Sequence, residues 1–368
     1  MATYINAIGT ATPKNCIEQS QIAAFMCQAL QLDEAQARRL KALYKLTKIK
    51  TRSSVLADYG KENGEFEFYP NNVDLLPIPT VATRMLEYKK HALPLALSAI
   101  NKAAQKINNF DFQNITHLIT ISCTGMYAPG LDIEIVQNLK LKTTIQRTCI
   151  NFMGCYGAYN GLKMANSICN SNKEAVVLVV SVELCTLHFQ KINDSNNLLS
   201  NAIFADGAGA VILTNWHDLG QQNLLLKSFY CDIFEEGKTD MAWNIGNNGF
   251  EMILSPKVPK IIEKGIGQLI HNLLNNNSLT LLDIDYYAMH PGGMAILDVI
   301  EKALNISKEN NKFAYEILEK YGNMSSATVL FVIENLLNNV ALNEKNKNIL
   351  SCAFGPGLTI ETMLLELV

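Results

Sequence analysis

An α/β fold built as two related halves, with sheets covered by helices on both faces, is what this sequence predicts. Three observations carry it. Strand-length apolar runs such as His117–Cys123 and Glu174–Val182 alternate with stretches whose apolar residues recur at helical spacing. The second part of the chain repeats the first in rhythm: a strand leading into Ser122-Cys-Thr-Gly125 is matched by a strand leading into His290-Pro-Gly-Gly293. With 368 residues, 48% of them hydrophobic, the chain is long enough to bury the core of two domains or of one duplicated domain.

The elements follow in order. Thr3–Gly9 is a strand, stopped by Gly9 and Pro13. Ile22, Ala23, Met26, Cys27 and Leu30 put a helix over Gln19–Leu30, and a second helix covers Asp33–Lys45. Residues 54–80, with their Gly, Pro and Asn, read as a surface loop. Thr80–Lys106 is a long helix with Pro94 at its middle, where a kink is expected. His117–Cys123 is a buried strand, Asp132–Leu139 a helix and Glu174–Val182 a buried strand; Asn201–Leu213 is a short turn into a small-residue strand. Residues 215–224 are polar and irregular, and a boundary at 220/221 divides the chain into halves 1–220 and 221–368. Beyond it come a strand at Leu225–Ile233, a helix at Val258–Leu274 and a strand at Asp283–His290. Helices at Met294–Ala303 and Thr328–Leu337 and strands at Asn348–Phe354 and Leu358–Val368 complete the chain.

Composition narrows the function. A net charge of −3 gives no electrostatic case for nucleic acid. Nine cysteines are scattered without a Cys-x-x-Cys pair, which argues against a zinc site or a disulfide framework and suits a reducing cytoplasm. The N-terminus lacks the features of a signal peptide, and the apolar runs are too short to span a bilayer.

The chemistry is organised around Asn151–Ala165. Cys155 is followed by Gly157, Ala158 and Gly161, small residues that suit a helix packed closely against another backbone. At the start of that helix unpaired N–H groups and the macrodipole favour an anion, so the position suits a lowered thiol pKa and a nucleophile; a buried structural cysteine is the alternative. His290 ends a strand beside two glycines, and Asn323 precedes a helix that Ser325 or Ser326 could cap. Nucleophile, base and neutral donor in the order Cys155, His290, Asn323 also fit a papain-order cysteine peptidase, although the peptidase's local signature is absent. The basic residues Arg38, Arg39, Lys41 and Lys45 form either a solvated face or a landing strip for the phosphates of a nucleotide-tailed substrate.

Four motifs, Phe152-Met-Gly-Cys-Tyr-Gly-Ala158, His290-Pro-Gly-Gly-Met-Ala-Ile-Leu-Asp298, Gly322-Asn-Met-Ser-Ser-Ala327 and Phe354-Gly-Pro-Gly-Leu-Thr-Ile-Glu361, resemble those of the type III polyketide synthases of the chalcone synthase family. The resemblance covers nearly the whole chain. It implies a thiolase-like duplicated five-layer αβαβα fold, a homodimer, and malonyl-CoA with a starter acyl-CoA as substrates, without metal or redox cofactor. Cys155 is then the acyl carrier, and His290 and Asn323 hold the enolate left by decarboxylation. A ketoacyl synthase of the initiating type, with one condensation, is the alternative within the fold. Phe204 falls at the family's gatekeeping aromatic. Met252 stands where a second one is expected, with Phe250 as a partial substitute. Cys123, Cys185 and His188 replace threonines of the plant enzymes and resemble the bacterial branch, whose products include pyrones, resorcinols and naphthalenes. Ser325 is expected to line the same chamber, and Gly357 to belong to the substrate-binding set. The basic positions that meet CoA in the plant enzymes fall at Arg39, Ala42 and Leu46, so Arg38, Lys45 or Lys48 are expected to substitute.

Overall fold

The computed structural model describes residues 2–217 and 222–368; the boundary expected at 220/221 lies outside the described residues. The first half contributes strands β1 (Tyr4–Ala11), β2 (Asn15–Glu18), β3 (Thr51–Ser54), β4 (His117–Ser122), β5 (Gln146–Asn151), β6 (Val176–Leu184) and β7 (Asp206–Thr214). Its helices are α1 (Gln19–Ala29), α2 (Glu34–Leu46), α3 (Val81–Ala104), α4 (Leu131–Asn138), α5 (Gly157–Ser171) and α6 (Ser195–Ile203). The second half adds β8 (Leu224–Ile233), β9 (Met241–Gly246), β10 (Gly249–Leu254), β11 (Tyr286–Tyr287), β12 (Lys347–Gly355) and β13 (Thr359–Leu367), with α7 (Val258–Asn275), α8 (Met294–Leu304), α9 (Lys312–Tyr321) and α10 (Thr328–Asn339).

Nine strands are hydrogen-bonded in the order β11-β12-β13-β8-β1-β7-β6-β4-β5. The duplication shows in their directions. β1 and β7 are antiparallel, β7 and β6 antiparallel, β6 and β4 parallel; β8 and β13, β13 and β12, and β12 and β11 repeat that sequence. The halves meet edge to edge through the pairs Tyr4↔Leu225 and Ile5↔Leu224.

Burial divides into three apolar clusters, and these define the layers. One holds α1 and α3 against one face of the first half's strands, through residues such as Phe25, Ala96, Ile100, Leu118 and Val180. A second lies between the halves, where Ala158, Leu162 and Ala165 of α5 meet Val329, Leu330 and Ile333 of α10. The third holds α7 and α8 on the outer face of β12 and β13, through Ile262, Leu269, Leu297, Leu350 and Leu364. Helix, sheet, paired central helices, sheet and helix are the five layers expected. The small residues after Cys155 explain why α5 can be central: a Cβ on Gly161 would sit 2.5 Å from Ile121 Cδ1.

One expectation is refined and one corrected. Residues 54–80 are a loop, irregular and largely exposed beyond Gly60, but an anchored one: Tyr59, Phe66 and Tyr69 pack their rings around Phe25, and buried Asp58 accepts hydrogen bonds from the N–H groups of Glu67, Phe68 and Tyr69, each at 2.9 Å. Aromatic side chains separated by polar turns gave no period to read, yet they close a small core of their own. Asn201–Ile203 is not a turn but the end of α6, which Asp194 caps by accepting from Asn197 N at 2.9 Å. The long helix α3 passes Pro94 without ending.

Candidate active site

The carboxyl ends of the parallel strands in both halves open into one cavity of about 410 Å³. β4 delivers Cys123 to it, β5 leads to Gly154 and Cys155, and β6 leads to Cys185 and His188. The segment after β11 brings His290, and β12 brings Gly355 and Pro356. Cys155, His290 and Asn323, far apart in sequence, all line this cavity.

Cys155 lies in a single 3₁₀ turn, Gly154–Tyr156, directly before α5. The turn is sharp because Phe152 and Gly154 both take positive φ, 59° and 73°. Gly154 is required there: a Cβ would stand 2.3 Å from Pro356 Cδ. The Cys155 thiol reaches Asn323 Oδ1 at 4.0 Å. Taken by itself, with no proton acceptor beside it, the thiol is pushed up to about 12 by burial, opposed by hydrogen bonds to Ser325 and Asn323 and aided by the field of Glu183.

His290 is 1% exposed, and burial lowers it to about 3. Its backbone N–H donates to Cys352 O at 2.9 Å, extending the ladder past β11. Neither ring nitrogen has a partner among the described residues, so both remain for chemistry in the cavity. Asn323 is held differently. Its Oδ1 accepts from Ser325 N at 2.8 Å, and its backbone forms a bridge with Phe204. That fixes the carboxamide with Oδ1 occupied and leaves Nδ2, whose contact with Gly292 O is a long 3.4 Å, as the available donor.

Around the three sits a pinned wall. Glu183 is fully buried and accepts from Cys123 N at 3.0 Å and Thr124 Oγ1 at 2.8 Å, and also from Ser326 Oγ. Burial raises its carboxyl nonetheless. The Cys123 thiol, 3.4 Å from Glu183 Oε2 and 3.3 Å from Ser325 Oγ, is held well above the usual thiol range by burial and then by that carboxylate; Cys185 is raised for the same reasons. Neither is poised as a thiolate. His188 accepts from Phe250 N at its Nδ1 (3.0 Å), so Nε2 carries the proton and donates to Thr124 O at 2.7 Å. Its ring stacks on Phe250 at 4.2 Å, and burial keeps it neutral down to about 3. It is a fixed wall rather than a titrating group.

The hairpin β9–β10 roofs the cavity. Alternation turns Phe250, Met252 and Leu254 inward, with Met241 and Trp243 facing in from the paired strand. Phe250 is committed to His188 and to Phe152, 5.2 Å away, so Met252 stands alone at its position. Trp243, absent from the expected set, donates from Nε1 to Cys123 O at 2.6 Å; the alternation of β10 was the signal that would have found this face. Phe204 and Ser325 line the cavity as expected.

One expectation fails. Gly357 does not line the cavity; with φ of 75° it makes the left-handed turn into β13, and Gly355 and Pro356 take the lining positions. Of α2, it is Leu43 and Leu46, with the adjoining Thr47, that reach the cavity, while Arg38, Arg39, Lys45 and Lys48 are exposed and line none of it. Arg38 instead pairs with Glu34 at 3.8 Å. Arg39 precedes Leu43 by one helical turn and Leu46 by two, so it alone of these shares their stripe at the mouth.

Comparison with known proteins agrees with this geometry. The model of the N-terminal domain of chalcone and stilbene synthases matches residues 1–215, and that of the C-terminal domain matches residues 226–368. The α-pyrone synthesis polyketide synthase-like Pks18 of Mycobacterium tuberculosis is 28% identical over 99% of this chain and 91% of its own. A putative chalcone synthase of Bacillus subtilis is 29% identical over 98% of each. The crystal structure of PKS-I from the brown alga Ectocarpus siliculosus superposes with a TM-score of 0.92 at 27% identity, covering 100% of this chain and 98% of that one. Matched across both halves in order, the chain belongs to the chalcone and stilbene synthases and is an acyltransferase of the type III polyketide synthase class.

Proposed function

We propose that this synthase loads an aliphatic starter from acyl-CoA onto Cys155, extends it with malonyl-CoA, and releases a pyrone. The observation that carries the reading is the composition of the cavity. Cys155, His290, Asn323 and Ser325 are gathered at one part of it, and the walls beyond, which include Thr47, Gln190 and Asn197, take much of their surface from Ile22, Met26, Leu43, Leu199 and Phe189. The α-pyrone synthesis for which the mycobacterial relative is named supports a pyrone.

The steps follow from the residues. His290 holds the Cys155 proton, so sulfur attacks the starter thioester as thiolate, and the imidazolium gives that proton to the departing CoA thiolate. Malonyl-CoA then enters with its thioester oxygen between Asn323 Nδ2 and the protonated ring nitrogen of neutral His290. As the carbon–carbon bond to the carboxylate breaks, CO₂ leaves and the electron pair moves onto that oxygen. Fixed donors in a water-poor site stabilise the enolate without reorganising. Its carbon attacks the acyl carbonyl and Cys155 leaves as thiolate, ready to be reloaded by the longer chain. Charge stabilisation is thereby assigned to an amide and an imidazole, and the scheme calls for no metal or redox cofactor. Arg39, on the stripe of Leu43 and Leu46, is placed to meet the phosphates of CoA. Nine free thiols support a reducing, cytoplasmic setting. Among the described residues no helix is long and apolar enough to cross a membrane.

The test is incubation of the purified protein with labelled malonyl-CoA and starters from acetyl-CoA to palmitoyl-CoA, with benzoyl-CoA as the aromatic control. Pyrones formed best from aliphatic starters are expected; preference for benzoyl-CoA overturns the aliphatic reading, and absence of CO₂ release overturns the mechanism. A homodimer joined at β5 is part of the proposal. β5 pairs with β4 on one side and ends the sheet on the other, leaving Gln146, Arg147 and Cys149 exposed. Sedimentation is expected to give twice the chain mass, and a single-chain mass at micromolar concentration overturns it.

A further inference from the structure

Arg52 lies on β3, is 3% exposed, and lines the cavity from beneath. Among the described residues it takes part in no ion pair with a carboxylate; its nearest ring is Tyr44, 5.7 Å from the guanidinium carbon. Its polar contacts are instead to fixed acceptors. Nε donates to Gln19 Oε1 at 2.8 Å, and Nη1 donates to Phe204 O at 2.6 Å. Gln19 in turn donates from Nε2 to Ala202 O at 2.8 Å. Between these two carbonyls, Ile203 O accepts from Asn323 N at 2.9 Å, and Asn323 O accepts from Ala205 N at 2.9 Å. Three consecutive carbonyls before β7 are therefore held by Gln19, Asn323 and Arg52.

The stem of Arg52 fixes the other side of the bridge. Gly322 takes φ of 72°, and a Cβ on it would lie 3.0 Å from Arg52 Cγ and 2.9 Å from Ile203 O. The backbone that carries Asn323 thus rests on the Arg52 side chain, and the backbone that carries Phe204 hangs from its guanidinium.

We infer that Arg52, with Gln19, is a positioning residue that locks Phe204 and Asn323 into one rigid unit, so that gate and enolate donor keep a fixed separation. The inference rests on the roles proposed for those two residues. Removing the guanidinium leaves Gln19 Oε1 and Phe204 O without their buried donor, a loss felt first in the segment that those groups hold in place. A displacement of the donor by a fraction of an ångström is costly to rate, while Cys155, carried on a separate turn, meets Asn323 only through the long 4.0 Å contact to Oδ1.

The experiment compares Arg52→Met, Arg52→Lys and Asn323→Ala in the full chain. It reads kcat and KM for CO₂ release from malonyl-CoA and the rate at which iodoacetamide labels Cys155. For Arg52→Met, kcat is expected to fall roughly 10- to 100-fold, with KM and labelling of Cys155 changed less than about twofold, and Arg52→Lys, which keeps a donor within reach of Phe204 O, to recover part of the loss. Wild-type kcat in Arg52→Met overturns the inference, as does a parallel loss of labelling, which would mean general collapse. Should Arg52→Met not fold, Arg52→Lys and Gln19→Leu decide by the same criteria, each with a smaller fall expected. Asn323→Ala separates the two levels: if it keeps full CO₂ release, the proposed role of Asn323 fails, whereas loss there with none in the Arg52 variants rejects the positioning role alone.

Discussion

Cys155→Ala is expected to abolish polyketide formation, by about 10⁴-fold or more, while malonyl-CoA continues to lose CO₂. The two halves of the reaction draw on different elements. Acyl transfer needs sulfur at the turn before α5, and no other thiol at the cavity can stand in: Cys123 and Cys185 are held neutral by burial and by the field of Glu183. Decarboxylation needs donors for the enolate oxygen, and those come from Asn323, fixed through Ser325 N, and from His290, with both ring nitrogens free. Alanine at 155 leaves both in place, and the enolate is quenched by a proton instead of an acyl group. Product by mass and labelled CO₂ by trapping, followed on one sample, measure the two separately. Product at the wild-type rate would remove Cys155 from the mechanism. Loss of CO₂ release together with product would mean that decarboxylation requires the acylated enzyme.

How much of this was legible in the sequence depended on the range of the physics involved. The strands β4 and β6 and the helices α3 and α7 announced themselves by unbroken or periodic apolar runs, because each buries a wide face against a single layer. The duplicated rhythm and the three site residues could be named because strand-ending glycines and a lone Cys before small residues are local signals. What stayed hidden was contextual. Burial raises the Cys155 thiol when it is taken by itself, a cost that no motif encodes and that the position before a helix does not reveal. Residues 54–80 carry Tyr59, Phe66 and Tyr69 at irregular intervals, so a buried cluster reads like a loop. Arg52 was one more basic residue after α2 until its guanidinium was seen under Phe204 O. Gly357 was grouped with the site because it belongs to the motif Phe354-Gly-Pro-Gly-Leu358, yet a glycine in such a motif serves the chain's direction as readily as it serves a substrate.

The charge state of the nucleophile gives the second large effect. Burial, with the smaller effects of Ser325, Glu183 and Asn323, holds Cys155 at about 12, and burial holds His290 at about 3, so each group taken separately is neutral at pH 7. Transfer of the proton from sulfur to imidazole makes two opposite charges in a medium of low polarity, where their attraction is strong and offsets both desolvation costs. Among the described residues the one lysine or arginine that lines the cavity is Arg52, whose Nε and Nη1 are bound to Gln19 and Phe204, so thiolate formation near neutrality is assigned to His290. With the wild-type protein, iodoacetamide labelling of Cys155, followed by peptide mass to separate it from exposed Cys16, Cys149 and Cys231, is expected to be nearly independent of pH between about 6 and 9. In His290→Gln the thiol reverts to the burial-raised state. Labelling should then rise about tenfold per pH unit over that range, because the thiolate fraction grows tenfold per unit below the pKa, and at pH 7 it should be slower than wild type by about 100-fold or more. The sign is fixed by the chemistry: only the deprotonated sulfur reacts, and loss of its cation moves deprotonation to higher pH. A tenfold-per-unit slope already present in the wild type, unchanged by His290→Gln, would show a neutral resting pair in which His290 acts only as a base during attack. Labelling that stays fast and flat in the variant would instead place the cation elsewhere and remove His290 from nucleophile activation.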